Sequence, residues 1–498
     1  MGPDRIFFMK LSETSVKQKL FALLALAALV VILVLPEPSP IETDVKAITL
    51  SSSAKATLAV LAMAVILWMT EAVPFPVTGL LALVLLVMTK AMPFKELIRD
   101  GFGNHIVLFF IGVLILSAAI GQTGLLRRFT TLLLFHFGHK PKTLILVFLI
   151  VGALLSGWIT DMAVAAVMLP IGVSILRDAG VKKMQSNFGR ALMISCAWGA
   201  LIGGITTPAG CGPNPLTMGF LKDLAGIDFS FTDWMLLGYP AAVLMLPCAW
   251  LILLKVFPIE DINLQIAEEE LHQKLKEIGP VTRKEVLTII IFFLTVFLWI
   301  CAPLIERLTG GAVDYLSISF VAIGCGCLFF LPGIEVLTWK KAEEEINWGG
   351  IILIVSGLSL GMAIYKTGAA EWLAWIAFNK IGVLHPVLIV FVVVLGVSLM
   401  KVAFSSNTVT GIIMVPLLIA LAKNLGLDAV IIAIPAGITS SLAFLLVTST
   451  PTNVIPHSAG YFSIKDMAKA GIWMTIASSV CVTVSVCVVG KLSGIVNF

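Results

Sequence analysis

Two short polar stretches stand where apolar segments would be expected to continue. The first runs from Ser156 to Asp161 and the second from Ser405 to Thr408, and they contain hydroxyl, carboxylate and amide groups. The oxygens of these groups can bind a cation, and helices that begin there present backbone N–H groups to an anion. These residue types therefore predict a site for a small anion and a cation.

The apolar runs beside these stretches are too short to cross a bilayer. They cover residues 144–155 and 163–176 around the first stretch, and 387–399 and 411–421 around the second. A spanning helix needs about 20 residues, so each stretch is predicted to be the tip of a hairpin that enters the membrane and returns. Broken segments at corresponding places in two halves of a chain indicate the substrate site of a transporter.

Asp161 has the clearest need for a partner. A charged Asp at the centre of a spanning helix costs about 2.5–3.5 kcal/mol on insertion scales. A bound cation would offset this cost most simply and a proton is the next possibility, whereas a hydrated carboxylate in a cytoplasmic crevice is the structural alternative. Since an ionised Asp161 repels an anion, we expect it to face the cation and to tighten that site or make coupling proton-sensitive.

Two other side chains could also take part in binding. One lies just before the second stretch, and the other lies in a further break in the chain. Lys401 could neutralise an anion, but we expect its long side chain to reach the membrane interface. Seven of the eight cysteines lie in apolar runs, and only Cys211 lies among glycine and polar residues.

Residues 203–215 and 448–453 interrupt two further apolar segments. The first contains four glycines and three prolines, and both stretches include an asparagine, Asn214 and Asn453. Glycine and proline break helices, and irregular backbone at membrane depth is tolerated only where it lines a cavity or is buried in protein. These breaks are predicted to complete the site.

The composition places all of these elements in a membrane. The 498 residues are 59% hydrophobic and 12% charged, against about 25% charged in soluble domains. Long apolar runs require helices rather than alternating barrel strands. The net charge of +4 says little about partners, and we expect no nucleic-acid partner. No nucleotide loop, catalytic triad or zinc pattern is present, which argues against an enzyme.

We predict an all-α polytopic protein with about eleven spans and two re-entrant hairpins. Basic residues lie on both sides of the first broken segment, and the positive-inside rule places both groups in the cytoplasm only if that segment returns. The same rule predicts a cytoplasmic N-terminus and, with eleven spans, an external C-terminus in a cell (inner) membrane. The predicted divisions are 1–53 (N-terminal segment and first span), 54–257 (first repeat, hairpin 143–177), 258–285 (cytoplasmic linker) and 286–498 (second repeat, hairpin 384–423).

The two halves share three features in the same order. Thr123-Gly124 recurs as Thr367-Gly368, Pro170 as Pro416 and Asn214 as Asn453, at offsets of 244, 246 and 239 residues. An odd number of crossings separates the first pair, so the repeats are predicted to be inverted, as in alternating-access transporters.

At these residues the chain resembles the divalent anion:sodium symporter family of sodium-coupled dicarboxylate, citrate and sulfate carriers. The resemblance rests on Thr70-Glu71-Ala72-Val73-Pro74, the Ser406-Asn407-Thr408 tip and the two breaks. It implies eleven spans with two hairpins, a homodimer and an elevator motion. The family has Ser-Asn-Thr at both tips, whereas this chain has Thr160, Asp161 and Met162 at the first tip and Cys211 where threonine is usual.

The resemblance also implies the ligands. Sodium ions are expected at two sites, the first among Ser156, Thr160, Asp161 and the Gly210 carbonyl, and the second among Ser405, Asn407 and the Ser449 carbonyl. The expected substrate ligands are Thr160, Asp161, Cys211, Asn214, Ser406, Asn407, Thr408, Thr450, Pro451 and Asn453.

The leading functional prediction is sodium-coupled symport of a small dicarboxylate such as succinate, malate or fumarate. Sulfate or tricarboxylate symport, proton coupling and sodium-independent exchange remain open on the same scaffold. An ion channel would use the broken helices but not the paired hairpins, and a membrane-embedded enzyme lacks a catalytic constellation.

Overall fold

The structure is a computed structural model that describes residues 3–42, 47–137, 140–262, 264, 276, 278–310, 316–378 and 384–496. It is helical apart from an antiparallel ladder of two residues per strand, β1 (Ile41–Glu42) and β2 (Ala47–Ile48). Within those ranges nine helices are long and apolar enough to cross a membrane. The prediction of an all-helical, multi-pass membrane protein is confirmed.

The first half contains eleven helices among its described residues. They are α1 (Pro3–Val34), α2 (Ser52–Thr70), α3 (Phe75–Met88), α4 (Phe94–Asp100), α5 (His105–Thr123), α6 (Leu125–Phe137), α7 (Pro141–Ser156), α8 (Asp161–Asp178), α9 (Asn187–Gly204), α10 (Pro213–Ala225) and α11 (Phe231–Val256).

The second half follows the linker, much of which lies outside the described residues. Its helices are α12 (Arg283–Leu308), α13 (Ile318–Leu328), α14 (Trp339–Glu345), α15 (Trp348–Lys366), α16 (Ala369–Phe378), α17 (Pro386–Met400), α18 (Asn407–Leu425), α19 (Ala429–Ser440), α20 (Pro451–His457), α21 (Ile464–Val484) and α22 (Gly490–Leu492). A π-helical turn, Ser485–Val489, joins the last two.

The core lies around α9, α10, α18 and α19, nearly all of whose residues are buried. Apolar residues on all sides are typical of helices surrounded by other helices. Glycine permits the closest approach, because a side chain at Gly203 in α9 would collide with the backbone of Ala153 in α7.

Helices α7 and α8 form a hairpin that returns to its starting side. Leu149 and Ala153 of α7 face Gly199 and Gly203 of α9 in the same order, so α7 and α9 are parallel. Along α8 the order is reversed, because Asp161 lies beside Gly204 and Gly172 beside Met193. The arms are therefore antiparallel to each other and share α9 as their common neighbour.

Helices α17 and α18 are joined at the second tip. A 3₁₀ turn, Lys401–Ala403, ends the first arm, and Ser406 caps the second by accepting a hydrogen bond from the Val409 N–H. Only three residues separate α18 from α19, and α19 ends beside the site again, where the Ser441 hydroxyl lies 3.3 Å from Asn214 Oδ1.

Each half also contains a helix broken within its apolar length. The first break covers residues 205–212, inside the predicted stretch. The second covers residues 441–450, so its predicted position at 448–453 is too late. The physical reason is that Pro451 occupies the first turn of α20, where its fixed φ and missing N–H favour a helix start.

Candidate functional site: the meeting point of the two hairpin tips

The two hairpin tips are in contact at the centre of the described structure. The Asn407 amide Nδ2 donates to Asp161 Oδ2 at 3.2 Å, and both residues stand at the first position of their helices, α18 and α8. They are 246 residues apart, the offset that relates Pro170 to Pro416. The contact therefore joins residues at corresponding positions of the two halves.

Asp161 is held in one orientation by groups from three segments. Its Oδ1 accepts the backbone N–H of Met162 at 2.8 Å, and its side chain also interacts with the Thr452 hydroxyl of α20. Cys211 Sγ, from the first break, lies 3.8 Å from Asp161 Oδ2 and 3.5 Å from Asn407 Nδ2. Asp161 is 8% exposed, so this carboxylate is almost removed from solvent.

A cavity of about 540 Å³ opens beside this contact. One wall consists of the tips and the breaks, and the other of α5, α6, α14 and α15. Among the predicted substrate ligands, the residues that line it are Thr160, Asp161, Cys211, Ser406, Asn407, Thr408, Thr450 and Pro451. The structure thus brings eight of the ten together around a space in the usual range for small-molecule sites.

The other two predicted substrate ligands are directed into the protein. Asn214 Nδ2 donates to the carbonyls of Gly204 and Thr207, both at 2.7 Å, and Asn453 Nδ2 donates to those of Ala443 and Leu446 at 2.7 and 3.1 Å. Both residues are fully buried. Each amide closes its own break and supports the cavity wall from behind.

Several buried oxygens at the tips have no hydrogen-bond partner among the described residues. They are Ser156 Oγ, Ser405 Oγ and Asn407 Oδ1. A buried oxygen without a donor is costly, and a cation bound at the site would satisfy it. The break backbone lies against the first tip, because a Cβ at Gly210 would meet the carbonyl oxygens of Ser156 and Gly204. These oxygen atoms fit a sodium ion, which prefers several oxygen ligands.

The structure corrects the prediction for Lys401. Its side chain does not reach the membrane interface; it is 2% exposed, and Nζ lies 3.0 Å from the Ser449 carbonyl. The reason is local, since the 3₁₀ turn that ends α17 directs Lys401 toward the second break. Thr452, which also lines the cavity, was not among the predicted ligands, although it lies between two of them, Pro451 and Asn453.

Helix starts supply positive potential at the cavity. The N-terminus of α8 follows Thr160 and that of α18 follows Ser406, and each helix dipole favours a negative charge within its first turn. The negative charge of Asp161 offsets part of the positive potential at the N-terminus of α8. The neutral Asn407 leaves the potential at the N-terminus of α18 available to an anion. The arrangement can hold an anion closer to the second tip and a cation closer to the first.

The sequence profile described as the sodium:sulfate symporter transmembrane region matches residues 17–494. Two similar curated proteins are both named sodium-dependent dicarboxylate transporter SdcS. The protein from Staphylococcus saprophyticus is 28% identical over 436 residues, covering 84% of this chain and 83% of that protein. The protein from Staphylococcus aureus is 29% identical over 430 residues, covering 83% and 81%.

Two solved structures share the fold at low sequence identity. The YdaH transporter of Alcanivorax borkumensis superposes with a TM-score of 0.56 at 14% identity, covering 97% of this chain and 98% of that chain. MtrF of Neisseria gonorrhoeae gives a TM-score of 0.57 at 14% identity, covering 95% and 94%. YdaH is described as a transporter and MtrF as one of a class of antimetabolite efflux pumps; at this identity the likeness concerns the fold alone.

Proposed function

The chain belongs to the family of the sodium:sulfate symporter transmembrane region, and from this premise we propose that it is a sodium-coupled symporter of a small dicarboxylate. The single observation that carries the proposal is the contact between Asp161 and Asn407. It places two hairpin tips, one with a carboxylate and one without, beside a common cavity. Two tips that share one cavity suit a carrier better than an enzyme.

The substrate class is inferred from the cavity and from the relatives. Two curated relatives are named as sodium-dependent dicarboxylate transporters, and the cavity of about 540 Å³ accommodates a four-carbon acid. The hydroxyls of Ser406 and Thr408 and the α18 N-terminus would bind one carboxylate, while Thr160 and Thr450 would bind the other. Cys211 and Pro451 would shape the cavity between them.

A sodium ion is proposed at the first hairpin tip. Ser156 Oγ, Thr160, the Asp161 carboxylate and the Gly210 carbonyl would surround it. The buried and unpartnered Ser156 Oγ supports this assignment. An oxygen that accepts no hydrogen bond and lies on the same tip as a carboxylate suits a cation better than an anion. Sodium binding would neutralise Asp161 and so allow a dicarboxylate to enter the same cavity.

Transport is proposed to move the tips and the breaks together against α5 and α15. The cavity lies between these two groups, so their relative displacement would expose the substrate to one side and then to the other. We further propose a homodimer, two inverted repeats at 54–257 and 286–498, and a cytoplasmic N-terminus with an external C-terminus in the inner membrane.

Purified protein in liposomes tests the proposal. Labelled succinate, malate, citrate and sulfate are offered under an imposed sodium gradient or an imposed proton gradient, with protein-free liposomes as the control. Saturable succinate or malate uptake that requires the sodium gradient is the expected result. Uptake driven only by protons, or only by exchange with internal substrate, would contradict sodium symport, and a preference for citrate or sulfate would contradict the substrate class.

A further inference from the structure

The second hairpin carries a buried cation that belongs to the protein itself. Lys401 stands in the turn between α17 and the tip, is 2% exposed and donates from Nζ to the Ser449 carbonyl at 3.0 Å. Burying an ammonium group is costly unless it is paired and hydrogen-bonded. The Asp161 carboxylate, which interacts electrostatically with it, supplies the opposite charge.

The ammonium group shares one oxygen with the second expected sodium site. That site comprises Ser405, Asn407 and the Ser449 carbonyl. Of these the carbonyl accepts the hydrogen bond from Lys401, while Ser405 Oγ and Asn407 Oδ1 have no partner among the described residues. We propose that the Lys401 ammonium group takes the place of the second sodium ion, so that one sodium ion, at the first tip, accompanies each substrate. This inference rests on the proposed function and specifies its ion stoichiometry.

Repulsion between like charges decides between the two occupants. A sodium ion on the Ser449 carbonyl would lie within about 4 Å of Nζ, and at an effective dielectric constant of about 20 that repulsion weakens binding roughly a thousandfold. The tethered side chain also stays at this position at every step, at any sodium concentration. The protonated lysine therefore excludes the ion and supplies the positive charge in its place.

The first hairpin shows the opposite charge pattern. Leu155 occupies the position 246 residues before Lys401 and cannot replace an ion, whereas Asp161 stands where the second tip has Asn407. A sodium ion would be attracted to the carboxylate of the first tip and repelled by the ammonium group of the second. With one sodium ion, a divalent anion would carry one net negative charge across the membrane.

Sodium binding to the purified protein tests the inference without requiring transport. Radioactive sodium is titrated against wild type, Lys401→Ala and Lys401→Arg, and the ions bound per chain at saturation are compared. Wild type and Lys401→Arg are expected to bind one ion, and Lys401→Ala one more. Lys423→Ala, which removes an exposed lysine from the same hairpin, is the matched control and should bind as wild type.

Equal counts in wild type and Lys401→Ala, or two ions in wild type, would overturn the inference. If Lys401→Ala does not fold, the wild-type count alone decides. Failure of the proposed function is recognised separately, as absence of sodium-dependent uptake. In liposomes, an inside-negative potential should slow succinate uptake by wild type, and faster or unchanged uptake would also contradict the single-sodium stoichiometry.

Discussion

Asn214 in the first half and Asn453 in the second make the same pair of hydrogen bonds. Each amide donates to the carbonyls that lie ten and seven residues earlier in its own break. The 239-residue offset therefore relates donors and acceptors alike, although neighbouring residues differ widely between the halves. The support of the site is the same in the two halves.

The tips that these breaks support have diverged. Asp161, Met162 and Leu155 of the first half stand where the second half has Asn407, Thr408 and Lys401. In both halves a helix break leaves buried carbonyls that need a hydrogen-bond donor, and an asparagine supplies it. The tips face one shared cavity, so only the sum of their charges and hydroxyls is constrained, and each can change if the other compensates.

We expect the largest effect when the negative charge that distinguishes the first tip from the second is removed. At about 4 Å and an effective dielectric constant of about 20, a pair of unit charges interacts by about 4 kcal/mol. The amide of Asp161→Asn recovers part of this energy, so the half-saturating sodium concentration for uptake should rise at least about a hundredfold. Asp261→Asn, an exposed residue remote from the tips, is the control. Unchanged sodium dependence in Asp161→Asn would contradict a cation site at the first tip.

The equivalence of the two breaks is tested next. Asn214→Ala and Asn453→Ala each leave one buried carbonyl, that of Gly204 or of Ala443, without the donor it has now, at about 1–3 kcal/mol. The other carbonyl, of Thr207 or of Leu446, keeps a backbone N–H at 3.3 Å. We expect both variants to lower the melting temperature in detergent by similar amounts, while Gln122→Ala, which removes an exposed amide, changes it little. A large loss in one variant and none in the other would show that the halves are not equivalent here.

A smaller effect is expected from the hydroxyls of the second tip. Ser406→Ala removes one hydrogen bond to the anion, worth about 1.5–3 kcal/mol with a charged partner, so KM for succinate should rise at least about tenfold. Ser406 also caps α18, and a melting curve of the variant separates a folding defect from weaker binding. A KM equal to that of wild type, with normal folding, would place the anion elsewhere.

The smallest effect should come from making the first tip resemble the second. Met162 lines the cavity and is 39% exposed, so Met162→Thr adds a hydroxyl at the position equivalent to Thr408. Since this position is more exposed than Ser406, we expect the new hydrogen bond to contribute only about 0.5–1.5 kcal/mol, and KM for succinate should fall about threefold. Met88→Thr, exposed on α3, controls for the change of residue type. A higher KM would mean that the methionine itself contacts the substrate.

The tips could be located from the sequence because polar residues interrupt two apolar segments, and Asp161 and Asn407 were recognisable for this reason. The arms of the second hairpin, Pro386–Ala403 and Asn407–Leu425, are longer than their apolar runs indicated and are long enough to cross a membrane. The second break was placed too late, since residues 442–446 are Leu, Ala, Phe, Leu and Leu and contain no helix-breaking residue. Their irregular backbone is stabilised by Asn453, a contact that local propensity does not encode.

The position of Lys401 could not be predicted for a different reason. A lysine near the end of an apolar helix usually extends along its flexible side chain to water. Here a single 3₁₀ turn redirects the side chain, and the carbonyl that receives it lies 48 residues away. Only the tertiary arrangement of the tip and the break determines that contact.

A cryo-EM structure in sodium and succinate tests the central claim most directly, since the account places anion and cation between the two touching tips. We predict density for the anion within hydrogen-bond distance of Ser406 and Thr408, and density for an ion between Ser156 and Asp161. Anion density away from the tips, or tips separated by the width of a helix, would contradict the account.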